Sequence, residues 1–165
     1  MANINAIAEA VAARIATVDD AGQSLRAAFI SRDYNAMINA MKTGDELRAW
    51  LIQATGIRTT SSSTRRALVE ITWTLMHIAQ INAGDPVQSR VDFEARVEAV
   101  RLAFAAQPEL AMTEADGRVT DITPTGGTPW GMQVLRMEDA QFYNIDSHVA
   151  DCVLTPRVIE DLPPA

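Results

Sequence analysis

The chain has 165 residues, of which 48% are hydrophobic, enough for one domain with a real core and the composition of a globular rather than a disordered protein. Fourteen basic residues against 21 acidic ones give a net charge of −7, and Lys42 is the only lysine, so a basic face that tracks a phosphate backbone is not expected. Cys152 is the single cysteine, which excludes an intrachain disulfide and a cysteine-built zinc site.

The N-terminus, MANINAIAEAV, lacks the basic and long apolar regions of a signal peptide, and no apolar run approaches the roughly 20 residues that span a bilayer. A cytoplasmic site of synthesis is expected. Residues 3–17 read as an amphipathic helix with Ile4, Ile7, Val11 and Ile15 on one face and Asn3 or Asn5 as its cap. Asp19–Gly22 breaks that pattern. Between Ser24 and Met41, Leu25, Phe29, Met37, Ile38 and Met41 fit short helical turns, interrupted at Ser31, Asp33 and Asn35.

Residues 46–60 read as a strand with Leu47, Ala49 and Leu51 on one side, Trp50 and Ile52 on the other, and a bulge or bend at Gly56. The polar run Thr59–Thr64 serves as a long turn. Then comes the stretch around which the chain is organised, RRALVEITWTLMHIAQI, residues 66–81. Its odd positions, from Ala67 through Val69, Ile71, Trp73, Leu75 and His77 to Ile81, form one apolar face, while Glu70, Thr72, Thr74 and Gln80 fall on the other. The two strands predict an antiparallel hairpin. Extended, the second strand reaches roughly 50 Å, beyond the about 40 Å breadth of a compact domain of this size. It therefore bends or projects toward a partner.

Asn82–Pro86 ends the strand, and Ser89 is expected to open an amphipathic helix with Asp92 at capping-box spacing, an apolar stripe of Phe93, Val97, Val100 and Phe104, and Pro108 as its stop. Val119–Thr123 reads as a short strand, Pro124–Gly131 as a loop, and Met132–Tyr143 as a bent strand or a short helix. A last strand covers residues 148–159 before the tail EDLPPA. The fold class is α+β: an antiparallel or mixed sheet with a long hairpin, packed against an N-terminal helix and a central amphipathic helix, the helices on one face.

The chemistry-bearing residues form no constellation at this level. His77 and His148 share no metal-ligand spacing with Cys152 or Asp151 and read as interior polar residues. Cys152 and His148 lie on one strand face but too far apart along it for a thiol–imidazole pair. TTSSST lacks the glycines and lysine of a phosphate loop. The TGGTPWG segment reads as a turn presenting Trp130 to a neighbour in preference to a pocket lining. Asp19–Asp20 and Glu138–Asp139 read as solvated charge.

In layout, and in the texture of TGIRTTSSSTRRALVEITWTLMHIAQINAGDP and DSHVADCVLTPRVIED, the chain resembles phage tail terminator (tail completion) proteins over residues 3–17 and 47–159, with residues 19–45 standing out as an insertion in one single domain of 165 residues. The resemblance implies a non-enzymatic structural virion protein without cofactor or metal. It implies a hexameric homo-oligomeric ring that caps the tail tube, ends its polymerisation and joins the head–tail connector of the neck, with DNA passing through the lumen unread and no membrane contact. Assembly would take place in the host cytoplasm. On that reading Arg58, Thr60, Ser62, Thr64, Arg65, Arg66, Trp130 and Arg157 are interface residues. The alternatives are another neck, head-completion or tail tube protein, or, from a different class, a small α+β ligand-binding domain or enzyme using the Trp130 loop.

Overall fold

Periodicity decides most of the architecture. In this computed structural model, which describes residues 4–26, 34–62, 65–107, 110, 119–122 and 131–161, three helices and eight strands are arranged around the hairpin. Helix α1 (Ile4–Ala16) buries Ile7, Ala8, Val11 and Ile15. Strand β1 (Gln23–Arg26) follows, then α2 (Tyr34–Met41), the two-residue β2 (Lys42–Thr43), β3 (Glu46–Ser62) and β4 (Arg66–Gln80). Helix α3 (Pro86–Ala106) crosses back, and β5 (Val119–Ile122), β6 (Gln133–Phe142), β7 (Ile145–Leu154) and β8 (Pro156–Asp161) complete the chain. The protein is α+β with a mixed sheet, because β1 joins β3 in parallel while the other pairings are antiparallel.

The sheet has two levels along the hairpin. At its base the order is β1-β3-β4-β7-β6. Toward its tip β4 is flanked instead by β8, which in turn pairs β5. Strands β7 and β8 are thus two pieces of one path along β4: Leu154 lies opposite Trp73 and Arg157 opposite Glu70. The expected single strand over 148–159 begins three residues earlier and is broken at Thr155, just before Pro156, whose missing N–H cannot serve a ladder.

The odd residues of β4 enter the main core with α1 and α3, where Trp50, Trp73, Phe93 and Phe104 are fully buried. The helices do not all lie on that face. Met37, Ile38 and Met41 of α2 pack with Leu47, Ala49, Ile78 and Val149 on the other side. Leu25 belongs to β1 rather than to a helical turn, and Phe29 lies outside the described residues. The segment 19–45 therefore supplies an edge strand and a helix to the sheet.

Residues 20–22 make that edge possible. Gly22 has φ +95 and a Cβ there would stand 2.6 Å from the Arg48 carbonyl oxygen, so only glycine lets β1 approach β3 this closely. The Trp50 indole N–H donates to the Ala21 carbonyl at 3.0 Å in the same place.

Helix α3 starts earlier than Ser89. Asp85 caps it, its carboxylate accepting the Gln88 N–H at 3.0 Å, and Pro86 fills the first turn, where a missing N–H costs nothing. Asp92 accepts from the Gln88 side chain instead of closing a capping box. Asn5 lies inside α1 and takes a hydrogen bond from Arg26, while Asn3 falls outside the described residues, as does Pro108. The expected turn at Thr59–Thr64 is shorter than its composition suggested: β3 continues to Ser62, with Thr59 paired to Val69 and Ser62 to Ala67. β-branched threonines favour extended backbone even in a polar run. The register shift between Ala54 and Gly56 places a bulge where expected, and a second falls between Thr59 and Ser61. Of the expected 132–143 element, Gln133–Phe142 form a strand, β6, with a bulge between Val134 and Arg136.

Candidate functional site

Two regions concentrate polar side chains, one toward the hairpin tip and one at its base. Near the tip Arg58, Glu70 and Arg157 stand side by side on β3, β4 and β8. The Glu70 side chain is 6% exposed and accepts from Arg58 at 2.8 Å and from Arg157 at 3.3 Å. Two guanidinium groups thus cover one buried carboxylate, and the 63% exposed Arg58 keeps most of its surface in water. Further out, Arg66 pairs with Asp161 at 3.2 Å between two exposed side chains. Thr60 donates its hydroxyl to the Leu68 carbonyl, and Ser62 and Arg65 are exposed.

So of the eight residues the sequence singled out, the structure joins Arg58 to Arg157 through Glu70, and places Thr60, Ser62, Arg65 and Arg66 along the same end of the hairpin. Thr64 and Trp130 lie outside the described residues. Glu70 itself was missed. Its even position in β4 was legible, but only the cross-strand register puts it between two arginines.

At the base, a polar cleft of about 580 Å3 opens between the ends of β3 and β4 and the first turns of α3. Asp20, in left-handed backbone at φ 62, bridges Arg48 and Arg96 on its wall. Ser89 also lines it, and leads to a relay unforeseen from sequence. The Ser89 hydroxyl lies 3.1 Å from His148 Nε2, and His148 Nδ1 lies 2.6 Å from the Asp139 carboxylate, which Arg90 also contacts at 2.9 Å. Hydrogen bonding from His148 and Arg90 holds the Asp139 carboxyl below its ordinary range. Asp139 and Asp20 are solvated as expected, at 60% and 59% exposure, but each is also ion-paired, and Glu138 pairs with Arg136 at 3.3 Å.

Serine, histidine and aspartate in this order resemble a hydrolytic triad, but acyl transfer also needs N–H donors free to receive an oxyanion. Five of the N–H groups around Ser89 are already committed. That of Asn82 points at the Ser89 oxygen itself, that of Gly84 at the Asn82 side chain, and that of Asp85 at the Asn82 carbonyl. Those of Gln88 and Ser89 go to Asp85, and Pro86 has none. The relay ties the 82–85 turn and the start of α3 to β6 and β7.

His77 is fully buried, stacked between Trp50 at 4.3 Å and Phe93 at 5.2 Å. Its Nδ1–H donates to the Ala49 carbonyl at 3.0 Å, while Nε2 has no protein partner among the described residues. Burial pushes its pKa down to about 3, so it is neutral, an interior residue satisfied at one nitrogen only. Burial pushes the Cys152 thiol up to about 12, the opposite of an activated nucleophile.

Neither a protein-family model nor a curated protein matches this chain.

Proposed function

We propose that this chain is a non-enzymatic structural protein of a phage tail, a terminator that caps the tail tube as a homo-oligomeric, hexameric ring, ends tube polymerisation and joins the tube to the neck connector. The observation that supports this reading is the hairpin. Strand β4 is covered on both sides along nearly all its length, whereas β3 from Thr55 to Thr60 is exposed. A solvent-facing strand on a rigid base is a means of reaching neighbouring subunits. The resemblance in layout supplies the rest of the proposal, including the tube and connector as partners, the virion as location and DNA in the lumen.

The rival reading, a small ligand-binding domain or enzyme, draws on the cleft at the hairpin base with Arg48 and Arg96 on its wall. Light scattering on the purified protein, alone and with tail tubes, separates the two. A ring, or a smaller species that becomes a ring on tube ends, supports the terminator. A strict monomer that ignores tubes sinks it and directs attention to the cleft.

A further inference from the structure

We propose that the outer half of β3 is an edge at which two copies of this chain pair, antiparallel, about a two-fold axis through Ile57. The inference goes beyond the terminator reading and does not require it. Strand β1 covers β3 only from Ala49 to Ile52 and β2 only Glu46 and Leu47. Among the described residues nothing pairs with the rest of that side. Such an edge is a template for another strand.

Three features make a second copy the fitting occupant. Ile57 is 61% exposed, yet it sits opposite Ile71, which is fully buried. The apolar row of the main core thus runs out at an uncovered isoleucine, and a second Ile57 across the axis would continue it. The segment is also its own complement: with Ile57 opposite itself, Gly56 faces Arg58 and Thr55 faces Thr59. Arg58 therefore meets a residue with no side chain instead of a like charge, and its guanidinium is already turned onto Glu70. Finally, Arg58 is the only charge between Gln53 and Ser62, with no proline or lysine, so the usual guards against edge pairing are limited to the two bulges, which leave Gly56–Thr59 regular between them. An isologous contact of this kind closes at two copies. The hairpins of the free protein then shield each other until a tube or ring offers a competing surface.

The test uses two single variants of the full chain. Ile57→Lys sets two ammonium groups against each other on the axis, and light scattering should show twice the mass of one chain for the wild type and a single mass for the variant. Ile57→Cys should form a disulfide-linked pair under mild oxidation far faster than Val87→Cys, a control on α3 with 74% exposure; native Cys152 is buried. Assembly that is unmoved by Ile57→Lys, with Ile57→Cys no faster than the control, overturns the edge pairing and leaves the terminator reading standing. A wild type monomeric at every concentration also overturns the pairing, and the terminator reading then rests on its response to tubes.

Discussion

Strands β3 and β4 have 17 and 15 residues and share one ladder, yet they live in different surroundings. Strand β4 has β7 and then β8 on its far side, and its odd residues from Ala67 to Ala79 are all buried. Strand β3 has β1 over four residues only, and its side chains go from buried at Leu47, Ala49, Trp50 and Ile52 to exposed from Thr55 to Thr60. Ile57 and Ile71 are the same residue type, directly paired, with 61% and 0% exposure. Burial along a strand is thus set by what flanks it and not by its own hydrophobicity, and the outer half of β3 is a surface because no third strand pairs with it among the described residues.

The largest expected effect comes from testing that contrast directly. Trp73→Ala on β4 should cost about 3–5 kcal/mol, since it opens a large cavity in the main core, whereas Ile57→Ala should stay within about 0.5 kcal/mol in the monomer. Urea unfolding of the two variants measures both. A loss of several kcal/mol at Ile57 at low protein concentration would mean that the edge is covered within a single chain, and the comparison would fail.

Acid should act on the base of the hairpin rather than on its tip. His77 is neutral in the fold with a pKa near 3 against an ordinary 6.5. The unfolded chain binds the proton more readily, so this contribution to stability is intact above about pH 6.5 and is lost as pH falls from there toward 3. The slope is about 1.4 kcal/mol per pH unit, which amounts to about 2–3 kcal/mol by pH 4.5. His77→Phe keeps a ring between Trp50 and Phe93 and gives up the bond to the Ala49 carbonyl, costing about 1 kcal/mol at neutral pH. Its stability should then fall less steeply than that of the wild type between pH 6.5 and 4.5. Equal slopes for the two proteins would show that some other group governs acid unfolding.

What the sequence revealed follows the same division. The alternation of β4 and the stripe Phe93, Val97, Val100 and Phe104 of α3 were legible because one-sided burial writes a period into a chain. The extension of β3 beyond Thr60 to Ser62 reads as turn in the sequence because an exposed edge selects for no apolar period at all. Helix α2 and β1 were blurred by short length, and β1 depends on Gly22, whose role is visible only against the Arg48 carbonyl. The two polar centres were illegible for another reason: Arg58, Glu70 and Arg157 are separated by 12 and 87 residues, as Ser89 and His148 are by 59. Spacing along one strand cannot bring such groups together; strand register does.

The smallest effects belong to the arginine pair over Glu70, and they discriminate between two views of the tip. If Glu70 is held mainly by Arg157, whose side chain is 30% exposed, then Arg157→Ala should cost about 1–2 kcal/mol and Arg58→Ala, at 63% exposure, no more than about 0.5. Glu70→Gln should largely remove the difference, because a neutral amide no longer needs a cation beside it. Urea midpoints for the three single variants and the two doubles with Glu70→Gln complete the cycles. A cost at Arg58 equal to that at Arg157 would mean that Arg58 is less available to a partner than its exposure implies. A cost near zero, with coupling to Glu70 below about 0.3 kcal/mol, leaves its guanidinium thermodynamically free to change partners. That freedom is what an interface arginine on an open edge requires, and it is the property by which the outer half of β3 differs from the strand it is paired with.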